Sequence, residues 1–252
     1  MDGPLAGRVA LITAAAAGIG AATARRLATG GAALALVDCD SAALDAIAAA
    51  LMRQGAAVLA LPGDATDGAT VDALVARAVE RFGRLDILVN GVGGWSCQRT
   101  VQQTTEAEWN QGLALNVTSA FLCARAAIPH LIASDAGRIV NISSQVARAQ
   151  QHLTTPDYVA GKAALLALTR YLAKELGPHG VTVNAVAPGP TWSPRTRQAW
   201  SPELVAQIER ETALGRIAEP DDIAAVIGFL CTPDARHITG ATIDVNGGYT
   251  LV

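Results

Sequence analysis

The feature that most constrains this chain is a rhythm. Short, uninterrupted apolar runs alternate with longer stretches of helical periodicity. The run RVALIT (8–13) is followed by GIGAATARRLATGG, in which Gly30 and Gly31 read as a helix stop. AALALVD (32–38) precedes SAALDAIAAALMRQG (41–55), with Ser41 as the expected N-cap and Gly55 as the stop. AAVLALPGD (56–64), ATVDALVARAVERFG (69–83) and LDILVN (85–90) continue the alternation. A helix across 106–133, the run GRIVNIS (137–143), a helix over 157–177 and VTVNAVA (181–187) follow. A polar segment containing Trp and Arg, 190–216, interrupts the pattern before a helix at 221–231 and a last strand, ATIDVN (241–246). The strand runs are apolar throughout rather than alternating, so both faces of the sheet must be covered. Successive β/α units of this kind predict an α/β fold. It is a single doubly wound, Rossmann-type domain over residues 1–252, with a parallel sheet of about seven strands and helices on both faces.

Composition narrows the classes further. The chain is 51% hydrophobic and 16% charged, enough to build a large core. A net charge of −3 and the lack of any block of like charges argue against a nucleic-acid binder, which needs a basic stripe. Cys39, Cys97, Cys123 and Cys231 form no CxxC pair, the usage of reduced thiols in a cytoplasmic protein. The four histidines are scattered, and no metal site is expected. Arg8 is followed by sixteen uncharged residues up to Arg25, as in a secretion signal, but Gly18 and Gly20 break that run. No other window is apolar and uninterrupted for the ~20 residues of a membrane span.

Right-handed crossovers bring the carboxyl ends of the strands to one edge, where such sheets bind ligands. The chemistry-bearing residues all follow strands. In TAAAAGIG (13–20), Gly18 and Gly20 allow a pyrophosphate to approach the amides at the start of a helix. Alanine in the left-handed conformation costs roughly 1–2 kcal/mol, so Ala14 is expected at negative φ. Asp38 lies eighteen residues after Gly20, where an acid accepts hydrogen bonds from the adenosine ribose hydroxyls. It would also repel a 2′-phosphate. Two charges ~4 Å apart at an effective dielectric near 20 interact by ~4 kcal/mol, and a quarter of that already shifts preference several-fold. No Arg or Lys adjoins Asp38 in the sequence, which favours NAD over NADP.

In YVAGK, the i, i+4 spacing puts Tyr158 and Lys162 on one helix face. A phenol with pKa ≈ 10 is a poor base near neutrality, and a neighbouring cation favours its ionised form. Ser144 ends the preceding strand, fourteen positions before Tyr158, so hydroxyl and phenol can converge on one substrate oxygen.

With these pieces in place the chain resembles the short-chain dehydrogenase/reductase family over essentially its whole length. The matching segments, in the family's order, are TxxxxGIG at 13–20, Asp38, DAT at 64–66, VNGVGG at 89–94 and Asn116 in LALNVTSAF. Then come NISS at 141–144, YVAGK at 158–162, NAVAPGP at 184–190 and ITGATIDVNGG at 238–248. The resemblance implies an NAD-dependent oxidoreductase that interconverts a secondary alcohol and a ketone by hydride transfer. Tyr158 would be the general acid/base. Lys162 would lower its pKa and hold the nicotinamide ribose. Ser144 would bind the substrate oxygen, and Asn116 would place a water in a proton relay. It further implies cofactor contacts from Thr13, Gly18, Ile19 and Gly20, from Asp38, and from Asp64 and Ala65 at the adenine. Asn90 and Gly91 would lie beside the ribose, and Pro188, Gly189, Thr191 and Ser193 near the carboxamide.

A reductase of 3-oxoacyl thioesters and a catalytically silent dinucleotide sensor are the competing readings on the same fold. The intact Asn116, Ser144, Tyr158 and Lys162 set argues against the sensor. The sequence departs from the family at Ala14, where a glycine is usual, and at Gly91, where the second Asn of NNAG is replaced. It departs also in a Ser144-to-Tyr158 spacing one residue longer than the commonest, and at Ser193, where Thr is frequent.

By the same resemblance the pocket walls come from the segments after residues 93, 144 and 189, here Trp95, Gln145, Arg148, His152, Trp192, Arg195 and Arg197. Residues 190–216 resemble a mobile lid that excludes water. An arginine among 148, 195 and 197 could bind an anionic tail, against the alternative that all three are solvated surface charges. The implied partners are a small-molecule alcohol or ketone and further copies of the chain in a homotetramer paired through the helices at 106–133 and 157–177; neither nucleic acid nor membrane is implied.

Overall fold

The computed structural model describes residues 3–95, 97–149 and 154–252. Seven parallel strands form one sheet: β1 (Val9–Thr13), β2 (Ala33–Asp38), β3 (Val58–Pro62), β4 (Ile87–Asn90), β5 (Arg138–Ile142), β6 (Thr182–Pro188) and β7 (Thr242–Val245). Their order across the sheet is β3-β2-β1-β4-β5-β6-β7. The chain thus winds outward from β1 to one edge, returns at β4 and winds to the other. The carboxyl ends of β1 and β4 flank the reversal point, where a crevice opens.

Helices α1 (Gly18–Thr29), α2 (Ser41–Arg53) and α3 (Gly68–Phe82) connect the first four strands. After β4 come α4 (Glu106–Leu113) and α5 (Ser119–Ala133), then α6 (Pro156–Leu176) between β5 and β6. The 190–216 segment carries α7 (Pro194–Ala199) and α8 (Pro202–Glu211), and α9 (Pro220–Cys231) leads to β7. One face of the sheet buries Leu11, Leu88, Ile139 and Val183 under Leu74 of α3, Leu131 of α5 and Leu172 of α6. The other buries Ile12, Leu36, Val89 and Val140 under Leu27 of α1, Leu44 of α2 and Ile227 of α9. Each fully buried aliphatic side chain contributes roughly 1.5–3 kcal/mol, so both faces supply stability. A smaller cluster of Ile208, Ile217 and Tyr249, with Trp192 and Trp200 against it, holds α8 on the sheet's end.

Two local expectations are corrected. Asp40, not Ser41, caps α2: its carboxylate accepts the Ala43 N–H at 3.0 Å, and Ser41 is the first helical residue. A carboxylate one position earlier reaches the third amide of the helix and complements its dipole. The helical run 106–133 is also not uniform. A π turn, Ala114–Thr118, separates α4 from α5 and places Asn116 in the irregular register. By length and composition this run, Glu106–Ala133, is apolar enough to cross a membrane, with a mean hydropathy of 1.3 over eighteen residues. It packs on β4 and α6 as a core helix does.

The amino ends of the strands are closed by a polar clamp. Asp86, fully buried, accepts hydrogen bonds from Arg84, the Ser134 hydroxyl and the Val9 N–H. Burial works against its charge, but these donors hold its pKa below the usual carboxylate value.

Candidate active site

The loop after β1 is built differently from the sequence expectation. Ala14 sits at φ +54°, in the left-handed region, not at negative φ. The loop's other bonds impose this. The Ala15 N–H donates to the Val37 carbonyl at 3.1 Å and the Ala16 N–H to the Asp38 carboxylate at 3.0 Å, folding the chain back over β2. Gly20 serves this turn as well: a Cβ there would lie 1.9 Å from the Ala14 oxygen. Its bare Cα therefore receives the loop's own carbonyl. Gly18, at φ +53°, faces open space, with nothing within 4 Å of where a Cβ would be. Ala17 caps α1 without a side-chain acceptor, whereas Asp40 and Asp67 cap α2 and α3. The amides at the start of α1 are thus left for an external anion.

Asp38 is half-buried at the end of β2 and accepts the Ala16 and Asp40 N–H groups, one on each oxygen. Asp64 is exposed and closes a turn onto the Thr66 N–H and hydroxyl, with Ala65 buried behind it. Asn90 donates to Asn141 at 2.8 Å, Asn141 to Thr169 at 2.9 Å, and Thr169 to the Leu165 carbonyl at 2.8 Å. This chain ties β4 to β5 and α6, and it leaves the buried Asn90 Oδ1 without a partner among the described residues.

The glycine that replaces the second Asn of the family motif has a local reason. The Gly91 N–H donates to Thr13 Oγ1 at 3.0 Å, and a Cβ on residue 91 would lie 2.4 Å from the Thr13 carbonyl. Thr13 and Gly91 together close the floor of the crevice between β1 and β4.

On the other side of that crevice, Ser144 follows β5 and Tyr158 stands in the first turn of α6. Their side chains are hydrogen-bonded to each other. The two elements are held in register by Ser143, whose hydroxyl donates to the Lys162 carbonyl at 2.9 Å. Burial raises the Tyr158 pKa; the Ser144 hydroxyl and the charge of Arg195 pull it back down. The Lys162 ammonium is buried and donates to the carbonyls of Ile142 at 2.8 Å and Val92 at 3.4 Å. Burial lowers its pKa to about 8. The i, i+4 spacing thus places phenol and ammonium on one face, but the groups pulling on the phenol are Ser144 and Arg195. Arg195 lies 37 positions downstream of Tyr158 (195 − 158), and no sequence spacing signals its approach. Asn116 is fully buried. Its amide donates to the Gly94 and Gly112 carbonyls and its oxygen accepts the Gly94 N–H, so it fixes the loop after β4.

The turn after β6 carries Pro188 and Gly189, with the Thr191 hydroxyl donating to the Gly189 carbonyl at 2.9 Å. Ser193 caps α7 by accepting the Thr196 N–H at 3.1 Å. A cavity of about 210 Å³ lies between the start of α1 and this segment, lined by Gly18, Trp192, Ser193, Arg197 and Glu219 among others.

Of the expected pocket residues, Trp95 and Arg195 meet, and Trp192 lies beside Trp200 and under Arg197. Gln145 is buried beside Ser144, its side-chain oxygen 3.4 Å from the Thr250 hydroxyl and close to Gly189. Arg148 forms an ion pair with Asp244 of β7. His152 lies outside the described residues.

The parallel sheet, the uncapped start of α1 at the reversal point and the Ser-Tyr-Lys constellation define a Rossmann-fold oxidoreductase that works with a nicotinamide dinucleotide. The open space at Gly18 and the free α1 amides fit its pyrophosphate. A family model described as enoyl-(acyl carrier protein) reductase matches residues 13–250. The chain is 38% identical to the short-chain reductase protein NovJ of Streptomyces niveus, over 95% of this chain and 93% of that protein. It is 37% identical to cis-4-hydroxycyclohexanecarboxylate dehydrogenase of Sinomonas cyclohexanicum, over the full length of both. A solved dehydrogenase/reductase from Sinorhizobium meliloti 1021 superposes with a TM-score of 0.92 at 37% identity, over 98% of this chain and 96% of that one. The chain belongs to the short-chain dehydrogenase/reductase family of oxidoreductases.

Proposed function

We propose that this protein is an NAD-dependent enzyme interconverting a secondary alcohol and a ketone, with Tyr158 as the general acid/base. The observation that carries the reading is the Ser144–Tyr158 hydrogen bond at the carboxyl edge of the sheet, beside the buried Lys162. The nicotinamide, when bound, accepts or supplies the hydride. Ser144 holds the substrate oxygen and Tyr158 takes the alcohol proton or returns it to the ketone. The ammonium of Lys162 would hold the ribose of the dinucleotide and favour the ionised phenol. Both amide donors of Asn116 are committed, so the remaining lone pair of its Oδ1 is the group available to a relay water.

Asp38 would hold the adenosine ribose and select NAD, with Asp64, Ala65, Asn90 and Gly91 lining the adenosine side. Thr13, Ile19 and Gly20 would shape the pyrophosphate turn, and Pro188, Gly189, Thr191 and Ser193 would frame the carboxamide. The 190–216 segment, with α7 and α8, would close over the substrate. The exposed Phe121 of α5 and Tyr171 of α6 support pairing of these helices in a homotetramer, and four widely spaced cysteines with no CxxC pair suit a cytoplasmic one.

Tyr158→Phe tests the reading. It should abolish NADH formation from a panel of secondary alcohols while NAD still binds; retained turnover would overturn the mechanism.

A further inference from the structure

We propose that Arg195 receives a negatively charged group of the substrate, so that the alcohol or ketone is a small organic acid, a carboxylate or a sulfonate. This rests on the oxidoreductase reading above. Of the three arginines in the expected pocket segments, two are neutralised. Arg148 pairs with Asp244, and Arg197 places one guanidinium nitrogen 2.8 and 2.9 Å from the two Glu219 oxygens. Arg195 has no carboxylate partner among the described residues. It donates one N–H to the Trp95 carbonyl and lies over the Trp95 ring, 5.4 Å from its centroid. Those contacts orient the guanidinium without cancelling its charge.

The position matters as much as the charge. Trp95 follows Gly94, which is bound through both its main-chain groups to the buried Asn116, at 2.9 and 3.0 Å. Gly93, one residue earlier, lies against the Lys162 ammonium. Arg195 therefore reaches from α7 to a loop fixed beside the catalytic lysine, close enough for its charge to act on Tyr158. Asp157, the acid next to Tyr158, packs its carboxylate against Gly112 of α4. The guanidinium has five N–H donors in a planar fork and Trp95 takes one, leaving an edge that suits an oxyanion. A substrate whose anionic group lies on that edge can direct its carbinol carbon toward Ser144 and Tyr158.

The alternative role for the contact is a plain latch between α7 and the Trp95 loop, which would serve every substrate alike. Matched pairs separate the two. The NAD-loaded enzyme is assayed with 3-hydroxybutyrate and its primary amide, cis-4-hydroxycyclohexanecarboxylate and its amide, and 3-hydroxybutane-1-sulfonate against 2-butanol. The expected result is a kcat/KM at least tenfold higher for the acids than for their neutral partners. Arg195→Ala should abolish that preference through a KM rise confined to the acids, while the loss of its charge beside Tyr158 acts on kcat of acids and neutral partners alike. Arg195→Lys should restore part of it, and the carboxylate and sulfonate arms identify the anion. Equal use of acids and neutral partners by the wild type, or a KM rise shared by both in Arg195→Ala, would overturn the anion site and leave the oxidoreductase reading standing. Failure of every member, neutral alcohols included, to produce NADH would overturn the oxidoreductase reading and the anion site with it.

Discussion

The Lys162 ammonium fills the space in which residue 93 would carry a side chain: a Cβ on Gly93 would lie 2.4 Å from Nζ and 2.8 Å from the Asn116 oxygen. Asn116 is locked by three hydrogen bonds, so the flexible end of the lysine must yield. Gly93→Ala is therefore expected to displace the ammonium and, because residue 93 sits at φ +154°, to strain the loop as well, while the fold persists. A displacement of about 1 Å in such a site lowers turnover by roughly 10²-fold. Steady-state kinetics alongside thermal denaturation checks this, and a near-wild-type kcat in a folded Gly93→Ala enzyme would refute it.

Burial of the Lys162 ammonium costs stability. Its pKa falls from 10.5 to about 8 in the folded protein. Between about pH 8 and 10.5 the lysine is more protonated in the unfolded chain than in the native one, so its own contribution to stability rises with pH across that window. The buried Cys123 and Cys231 set the opposite trend above about pH 9. Below pH 8 the full penalty applies, about 3 kcal/mol for two and a half units. Lys162→Met should flatten that rise, and at pH 7 the variant should be more stable by about 1–3 kcal/mol and inactive. Urea denaturation at pH 7 and 9.5 reads both effects. An identical pH slope in variant and wild type would show that Lys162 does not titrate in this window.

The strands, their parallel order and the edge that carries the site are legible in the sequence because each depends on local periodicity and on the handedness of crossovers. The pairing of Ser144 with Tyr158 is legible for the same reason: a strand end and the next helix start must meet. What escapes is set by contacts between distant segments. Gly91 is glycine because the Thr13 carbonyl passes beneath it, and Gly20 because the Ala14 oxygen does. The π turn at Asn116 places a buried amide against Gly94, which no helical period announces. Arg195 reaches Trp95 through the tertiary path of the 190–216 segment.

Ala14 carries strain that glycine would relieve. Its left-handed φ of +54° costs alanine about 1–2 kcal/mol, and glycine would return part of this as greater freedom of the unfolded chain. Ala14→Gly is expected to stabilise the protein by about 0.5–1 kcal/mol, with kcat unchanged. Differential scanning calorimetry of the variant should show a higher Tm. A lower one would mean that the Cβ of Ala14 makes a compensating contact.

On the proposed reading Asp38 has two jobs, and they separate experimentally. Its oxygens accept the Ala16 and Asp40 N–H groups, at 3.0 Å each, so the carboxylate shapes the loop before it meets any ligand. Asp38→Asn removes the charge and turns an amide N–H₂ toward one of those donors, at a cost of about 1–3 kcal/mol in stability. Loosening of the loop weakens both dinucleotides alike, whereas loss of charge relieves only the repulsion of the 2′-phosphate. The ratio of kcat/KM for NAD to that for NADP therefore isolates the electrostatic part. It should exceed ten in the wild type and fall at least fivefold in Asp38→Asn, a change of about 1 kcal/mol. The exposed Cys39 adjoins the same edge, and Asp38→Asn with Cys39→Arg should invert the preference by giving the phosphate a partner. Equal use of the two dinucleotides by the wild type would remove Asp38 from the selection of NAD.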